Sequence, residues 1–295
     1  MYKDILVQVD SARSVEARRQ AAIALAQKFN AHVTGLYVIE PVQLPAYAEV
    51  AIGADLLERS YREYERQAAE AGKAFRAAMD RAGVPNEWRT AEGLTASRTI
   101  DHGHYSDLVV LGQANPDDPD DISRGVVDEV ILGVGRPVLV VPYIGARETI
   151  GKKILLAWNG SREAVRAVHD AMPLLKAADK VVVMAVNPKE GEGTHIAGSD
   201  ISLHLARHDV NTVVNSTVSR EIDVGDTLLS RASDEGVDLV VMGGVGPFAV
   251  PRTGSRRRHP PHAAVHDGAG ADVALRRAIP STSSTRTGPQ GPVLV

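Results

Sequence analysis

The feature that most constrains this chain is an internal repeat, in which one pattern of apolar runs and turns occurs twice. The segment KDILVQVD stands near the start of the chain, and the similar segment KKILLAWNGS stands near its middle. The run DLVVLG, residues 107–112, returns later as DLVVMG, residues 238–243. Self-similarity of this kind is the signature of a duplicated structural unit. The repeat therefore predicts two domains of the same fold, residues 1–146 and 151–246.

Within each copy, short apolar runs alternate with stretches of helical periodicity. The apolar runs are rich in β-branched residues, as in strands that are covered on both faces. Such alternation is typical of an α/β fold with a parallel sheet and right-handed crossovers. The predicted strands of the first copy are 5–9, 33–39, 87–91, 108–111 and 138–141. The predicted helices are 15–30, 55–82, 95–102 and 126–132, with Ser14 as the cap of the first and Gly83 as the stop of the second.

Composition narrows the classes of function. The chain has no cysteine, which excludes disulfides, thiolate zinc sites and a cysteine nucleophile. Its formal net charge of -4 argues against general affinity for nucleic acid. The first residues run directly into a strand-like segment without the features of a signal peptide. No stretch approaches the roughly 20 apolar residues of a membrane span, so we expect a cytoplasmic protein that does not act at a membrane.

The order of these motifs, twice over, resembles the universal stress protein family. The resemblance rests on KDILVQVD, HVTGLYVIEP, DLVVLG and RPVLVVP in the first copy, and on KKILLAWNGS, KVVVMAVNP and DLVVMGGVG in the second. It implies two tandem Rossmann-like domains, each with a mainly parallel five-stranded sheet flanked by helices, packed together through their fifth strands. Members of the family act in stress survival as binding or regulatory proteins, and only some bind ATP. The resemblance thus implies a non-catalytic stress-response protein that acts on a ligand or on unidentified protein partners and can form a homodimer.

In open parallel sheets, ligands bind beyond the carboxyl ends of the strands, where the strand order reverses. By resemblance to the family, these ends are marked by Asp10 and Gly112 in the first copy. ATP-binding members carry Gly-x-x-Gly, nine residues, and then Gly-Ser or Gly-Thr after the fourth strand, so that backbone N–H groups reach the phosphates. The first copy lacks the second glycine, and four carboxylates follow instead, between residues 117 and 121. Because their charge repels a triphosphate, we predict that this copy does not bind ATP.

The second copy keeps more of the pattern. Its strand ends are marked by Asn159 and Gly243, and Gly246 supplies the second glycine, although the pair at 254–255 follows too early. A bare Gly-x-x-Gly also occurs in tight turns, and residues such as Asp10 and Asn159 also start helices. An adenine nucleotide, ATP in particular, is therefore a candidate ligand, with the second copy favoured. The candidate nucleotide-binding residues are Asp10, Gly112, Asn159, Gly243 and Gly246. The alternative function is an ATP-binding switch or weak ATPase in that copy.

The chain changes character after Gly246. Residues 247–295 are rich in Pro, Arg, Gly and Ser, although the second copy has not yet reached its last helix and fifth strand. Read one base later with a suitable choice of codons, residues 247–274 can become HSRFRELVAGGATRHMLRSMTVPVLMSH, which has the pattern of a helix followed by a strand. We hypothesise a one-base shift that leaves an aberrant, disordered tail and an incomplete second domain, which the DNA sequence across codons 240–280 tests. The rival hypothesis, a basic tail that binds nucleic acid, lacks an aromatic stacking series.

No set of residues predicts an enzyme active site. Ser161, His169 and Asp170 lack the Gly-x-Ser-x-Gly elbow of a hydrolase, and no Gly-x-Gly-x-x-Gly follows either first strand. His204 and His208 are four residues apart on a predicted helix, but two histidines supply too few ligands for zinc. We therefore predict no catalytic residue, no metal site and no obligatory cofactor.

Overall fold

A computed structural model gives the fold of this chain. It describes residues 1–40, 54–115, 125–144, 149–186, 198–217, 224–243 and 293–294. Within these ranges, none of the helices combines the length and the apolar character needed to cross a membrane.

The first half of the chain forms a parallel sheet with helices on both faces. Its order is β3-β2-β1-β4-β5, so the strand order reverses between β1 and β4. The strands are β1 (Asp4–Val9), β2 (His32–Ile39), β3 (Asn86–Glu92), β4 (Leu108–Gly112) and β5 (Val138–Val141). The helices are α1 (Val15–Phe29), α2 (Ala54–Arg81), α3 (Thr95–Gly103) and α4 (Val126–Gly133). These bounds confirm the predicted elements of the first copy to within one or two residues.

The ends of two helices show how well local sequence signals worked. Gly83, just beyond α2, has a φ of +67°, a left-handed conformation that suits glycine at a helix stop. Ser14 does occupy the N-cap of α1, but its side chain makes no capping hydrogen bond. The reason is its helical backbone (φ -73°, ψ -7°), whereas a capping side chain needs an extended one.

The second half repeats this architecture with the strand order β8-β7-β6-β9, again parallel. Its strands are β6 (Lys153–Ala157), β7 (Lys180–Val186), β8 (Thr212–Thr217) and β9 (Leu239–Val241). Its helices are α5 (Arg162–Lys176), α6 (Ser199–Ala206) and α7 (Val224–Asp234). The fold is therefore α/β with two Rossmann-like halves, as predicted.

A two-residue strand, β10 (Val293–Leu294), joins the two halves. It pairs antiparallel with β5 and parallel with β9, which creates one ten-stranded sheet. The sequence predicts an incomplete second half, followed by a tail at residues 247–295 that lies outside the fold. Within this tail, Val293 and Leu294 do form a short strand between the edges of β5 and β9. The rest of the predicted tail lies outside the described residues.

The halves also share one apolar core on a single face of the sheet. Tyr2 and Phe29 of the first half form an edge-to-face pair with ring centroids 5.2 Å apart. Their cluster continues into Ile150 and Leu174 of the second half. The halves are thus packed together by side chains as well as through β10.

Two polar contacts cross the same boundary. The Tyr2 hydroxyl donates to the backbone oxygen of Asp170 at 2.7 Å. The Lys28 ammonium donates to the backbone oxygens of Ile150 and Gly151 at 3.5 and 3.4 Å. Burial raises the pKa of Tyr2, and the charge of Asp170 adds to this shift. Burial also lowers the pKa of Lys28. Both shifts reflect how far the contact excludes water.

Candidate functional site

The predicted site lies at the carboxyl edge of the sheet, where each half reverses its strand order. In the first half β1 and β4 are parallel neighbours, so Asp10 and Gly112 reach the same edge. In the second half β6 and β9 are parallel neighbours, so Asn159 and Gly243 do the same. Open α/β sheets bind their ligands at this kind of edge.

In the first half, the Asp10 carboxylate is buried and held by groups of its own chain. The Arg18 guanidinium forms an ion pair with it through both Nη atoms, with Nη1 3.0 Å from Oδ2. The backbone N–H of Ala12 donates to Oδ1 at 3.0 Å, and Gln8 Nε2 lies 3.3 Å from Oδ2. Such forked pairing is a strong and directional contact. This geometry fits the alternative in which Asp10 organises the start of α1.

Arg18 is the residue of this site that the sequence analysis did not single out. It lies in the first turn of α1 and is only 1% exposed. A Cβ atom added to Gly112 would lie 3.1 Å from Arg18 Cδ and 3.2 Å from Cζ. The arginine therefore covers the end of β4, and Gly112 provides the room for it.

A sequence signal for Arg18 does exist. Arg18 lies three and four residues before the buried Ala21 and Ala22, on the face of α1 that packs against the sheet. A charged residue on a buried face needs a partner of opposite charge. Asp10 stands just before the helix, at the end of the predicted first strand, whereas the nearer Glu16 is exposed. The two observations make Asp10 a candidate partner, but they do not determine how α1 packs on β1.

In the second half, Asn159 is exposed, and its contact among the described residues is with the start of a helix. Its Oδ1 accepts from the backbone N–H of Ser161 at 3.0 Å. Ser161 is the N-cap of α5, and its Oγ accepts from the backbone N–H of Ala164 at 3.1 Å. Its extended backbone (φ -74°, ψ 162°) is the one that Ser14 lacks.

Gly243 lies in close contact with the start of α5. A Cβ atom added there would lie 2.7 Å from the backbone nitrogen of Ala164 and 2.7 Å from the carbonyl carbon of Glu163. No side chain fits that gap, because the neighbouring atoms are backbone. Gly243 therefore allows the helix start to approach the end of β9, which is a packing role.

The difference between the halves is clear when the two copies are aligned at their first lysines. The aligned residues, first half then second, are Gln8 and Ala157, Asp10 and Asn159, and Arg18 and Ala167. The second half thus replaces a buried charged cluster with small or neutral residues. Its edge carries no ion pair among these positions.

Other residues named by the sequence analysis fall in two groups. Those outside the described residues are Asp117, Asp118, Asp120, Asp121, Gly246, Gly254 and Ser255. His204 and His208 do come together, with ring centroids 4.8 Å apart. Across the described ranges, His, Asp and Glu side chains form no group of three that could hold a metal ion.

Comparison with known proteins gives a family match for the first half of the chain and a likeness of fold over nearly all of it. Residues 1–142 match the family model described as "Universal stress protein family". The crystal structure of a universal stress protein from Archaeoglobus fulgidus DSM 4304 is 14% identical, with a TM-score of 0.69 over 99% of this chain and 97% of that chain. A functionally unknown protein from Pseudomonas aeruginosa PAO1 is 15% identical, with a TM-score of 0.51 over 100% of this chain and 92% of that chain.

A shorter structure matches about one half of the chain. It is the universal stress protein from Archaeoglobus fulgidus in complex with dAMP, 18% identical, with a TM-score of 0.35 over 47% of this chain and 97% of that chain. Among curated proteins, no relative matches this chain. At these identities the structural likenesses show the fold alone.

Proposed function

We propose that this chain, whose residues 1–142 match the universal stress protein family model, is a non-catalytic binding protein of the stress response whose ligand site lies in the second half. Two units carry this proposal, residues 1–146 and residues 151–246. The observation that supports it best is the contrast between the two carboxyl edges. Arg18 covers the edge of the first half, whereas Asn159 at the edge of the second half is exposed and uncharged.

The first half is unsuited to a nucleotide because its own side chains fill the edge. Asp10 is 6% exposed and Arg18 is 1% exposed, and they neutralise each other. A ligand would have to separate this pair and leave one or both charges buried without a partner, which is strongly unfavourable. The first half then acts as a scaffold that packs against the second through the shared core.

The second half offers the chemistry that an adenine nucleotide requires. The N-terminus of α5 lies at this edge, and a helix N-terminus favours anionic groups such as phosphate. Asn159 is exposed there and presents an amide, which can donate to and accept from a nucleobase or ribose. No carboxylate corresponds to Asp10 in this half, so nothing at that position repels a phosphate.

Calorimetric titration of ATP into the full chain tests the proposal. We expect binding by the wild type and at least about tenfold weaker binding by Asn159→Ala, which corresponds to the loss of about one hydrogen bond. Asn211→Ala is the matched control, because Asn211 precedes β8 at the opposite edge of the sheet, where its side chain donates to the backbone oxygen of Asp179. Equal affinity of both variants would contradict the placement of the site. No binding by the wild type would redirect the search to protein partners.

The non-catalytic part of the proposal has a separate test. With saturating ATP, we expect the full chain to release inorganic phosphate no faster than buffer does. Turnover that Asn159→Ala abolishes and Asn211→Ala leaves intact would instead support a weak ATPase in the second half.

A further inference from the structure

Strand β10 lies between the two halves and pairs with both of them. Val293 lies opposite Val140 of β5 and Val240 of β9. Leu294 lies opposite Leu139 and Val241 in the same ladders. Among the strands that the structure describes, β10 is therefore the hydrogen-bonded link between β5 and β9.

The sequence and register of β10 repeat those of β5. The tetrapeptide PVLV occurs at 137–140 and again at 292–295. In the first half, the Val and Leu at its centre pair with Val109 and Val110 of β4. In the second half, the same two residues pair with the corresponding Val240 and Val241 of β9. The edge of β9 thus pairs with the same short apolar sequence, in the same register, as the edge of β4 does.

The attachment of β10 is short compared with the chain that leads to it. Two residues form its ladders, and residues 242–292 connect it to β9, whereas residues 113–137 connect β4 to β5. A ladder of this length makes few hydrogen bonds, and a longer connection adds little to the cost of closing the loop. Release of β10 would expose the edges of β5 and β9, and open edges readily pair with a strand from another chain.

Release of β10 would not separate the halves. The Tyr2 hydroxyl still contacts the backbone of Asp170, and Lys28 still contacts the backbone of Ile150. The shared core also stays in place, because its members lie on other elements. The gap between the facing edges of β5 and β9, which we call the slot, would therefore remain between the two halves.

From these observations we infer that the slot between β5 and β9 also accepts β10 from a second copy of this chain, which gives strand-exchanged dimers. Exchange of an identical element is a low-cost route to a dimer, because every contact of the closed monomer is made again in the dimer. The partner is thus a second copy, and the surface that recognises it is the pair of edges at Leu139–Val140 and Val240–Val241. This inference is independent of nucleotide binding.

Single cysteines can detect the exchange, because the chain contains no cysteine of its own. One full-length variant carries Val140→Cys and a second carries Val293→Cys, and the two are mixed at high concentration and oxidised with oxidised glutathione. A disulfide between the two variants requires β10 of one copy to lie against β5 of the other. We expect about tenfold more of this covalent heterodimer than with Val213→Cys in place of Val293→Cys, because thiols on neighbouring strands react at a high effective concentration.

The chain that carries both Val140→Cys and Val293→Cys provides the positive control. We expect it to form an internal disulfide when it is dilute, which shows that the substitutions allow folding and that β10 lies beside β5. An internal disulfide without any heterodimer in the mixture would overturn the strand exchange. Absence of both disulfides in chains with a native circular dichroism spectrum would overturn it too, because β10 would then not lie beside β5.

Discussion

The two halves of this molecule share a strand order but differ at the edge where such sheets bind ligands. In the first half, Arg18 and Asp10 form a buried ion pair over Gly112. In the second half, Asn159 is exposed and Gly243 is in contact with the backbone at the start of α5. At this edge the first half carries the buried Arg18 side chain, whereas the second half carries the exposed Asn159 amide. The comparison shows that a repeated fold does not imply a repeated site, since function depends on the residues placed upon the fold.

The glycines illustrate the same difference. Gly112 ends β4 and Gly243 follows β9, the strands beside the point where the strand order reverses. From the sequence, each glycine looks like part of a phosphate-binding loop. In the structure, Gly112 makes room for the Arg18 side chain, and Gly243 makes room for helix backbone. A glycine at the end of a parallel strand is therefore not sufficient to predict a phosphate site.

The largest effect should come from breaking the ion pair of the first half. Arg18→Ala leaves the Asp10 carboxylate buried without its partner, and we expect a loss of about 3–5 kcal/mol in the free energy of unfolding, measured with urea. The double variant Asp10→Asn with Arg18→Met removes both charges and should recover most of this loss. A loss below about 1 kcal/mol in Arg18→Ala would mean that the pair behaves like an exposed one and does not close the first half.

The next test compares the two glycines. Gly243→Ala should cost about 2–3 kcal/mol, because the new Cβ would lie 2.7 Å from backbone atoms of α5, so the helix must shift. Gly112→Ala should cost about 1 kcal/mol, because the Arg18 side chain at 3.1 Å can adjust by a few tenths of an ångström. Urea unfolding of both variants gives the order. The reverse order would contradict the packing roles assigned to the two residues.

A third pair of variants compares the helix starts of the two halves. Ser161→Ala removes the oxygen that accepts from Ala164 and should destabilise the protein by about 1 kcal/mol. Ser14→Ala should change stability by only about 0.3 kcal/mol, since Ser14 makes no capping hydrogen bond. Thermal unfolding of the two variants beside the wild type measures the difference. Equal losses would show that Ser14 caps α1 in solution.

The smallest effect concerns the contact between the halves. Burial raises the pKa of Tyr2 above its ordinary value of 10.0, so the stability from this group is complete below about pH 10. It is lost as the pH rises further, because the unfolded chain releases the phenol proton first. We expect Tyr2→Phe to cost below about 1 kcal/mol at pH 7, where one hydrogen bond is lost. Above pH 10 its free energy of unfolding should fall less steeply than that of the wild type, as chemical denaturation at several pH values would show.

The sequence was sufficient to predict the helices and strands, and the edge of the sheet at which the candidate site lies. Apolar runs such as Leu108–Leu111 predicted strands covered on both faces, because they are short, rich in β-branched residues and alternate with helical stretches. The end of α2 at Gly83 was equally clear, because glycine adopts a left-handed conformation more readily than any other residue. The strand ends at Asp10 and Asn159 followed from the repeat. Local patterns of this kind require no knowledge of distant residues.

The occupied site and the last strand were harder to predict for a physical reason. The pairing of Arg18 with Asp10 depends on how α1 packs on β1, which a helical pattern does not reveal. Strand β10 has two residues, too few for any periodicity. Its signal was the second PVLV at 292–295, which matches 137–140 but lies within a segment of unlike composition. Long-range contacts therefore account for what the sequence alone did not give.

The central claim is that the first half is closed by its own arginine and the second half is open to a ligand. Hydrogen exchange of the full chain with and without saturating ATP, followed by mass spectrometry of peptides from each half, tests it most directly. We predict slower exchange at residues 158–164 and 239–243, and unchanged exchange at residues 8–18 and 108–112. Slower exchange at residues 8–18 and 108–112, with residues 158–164 unchanged, would contradict the claim.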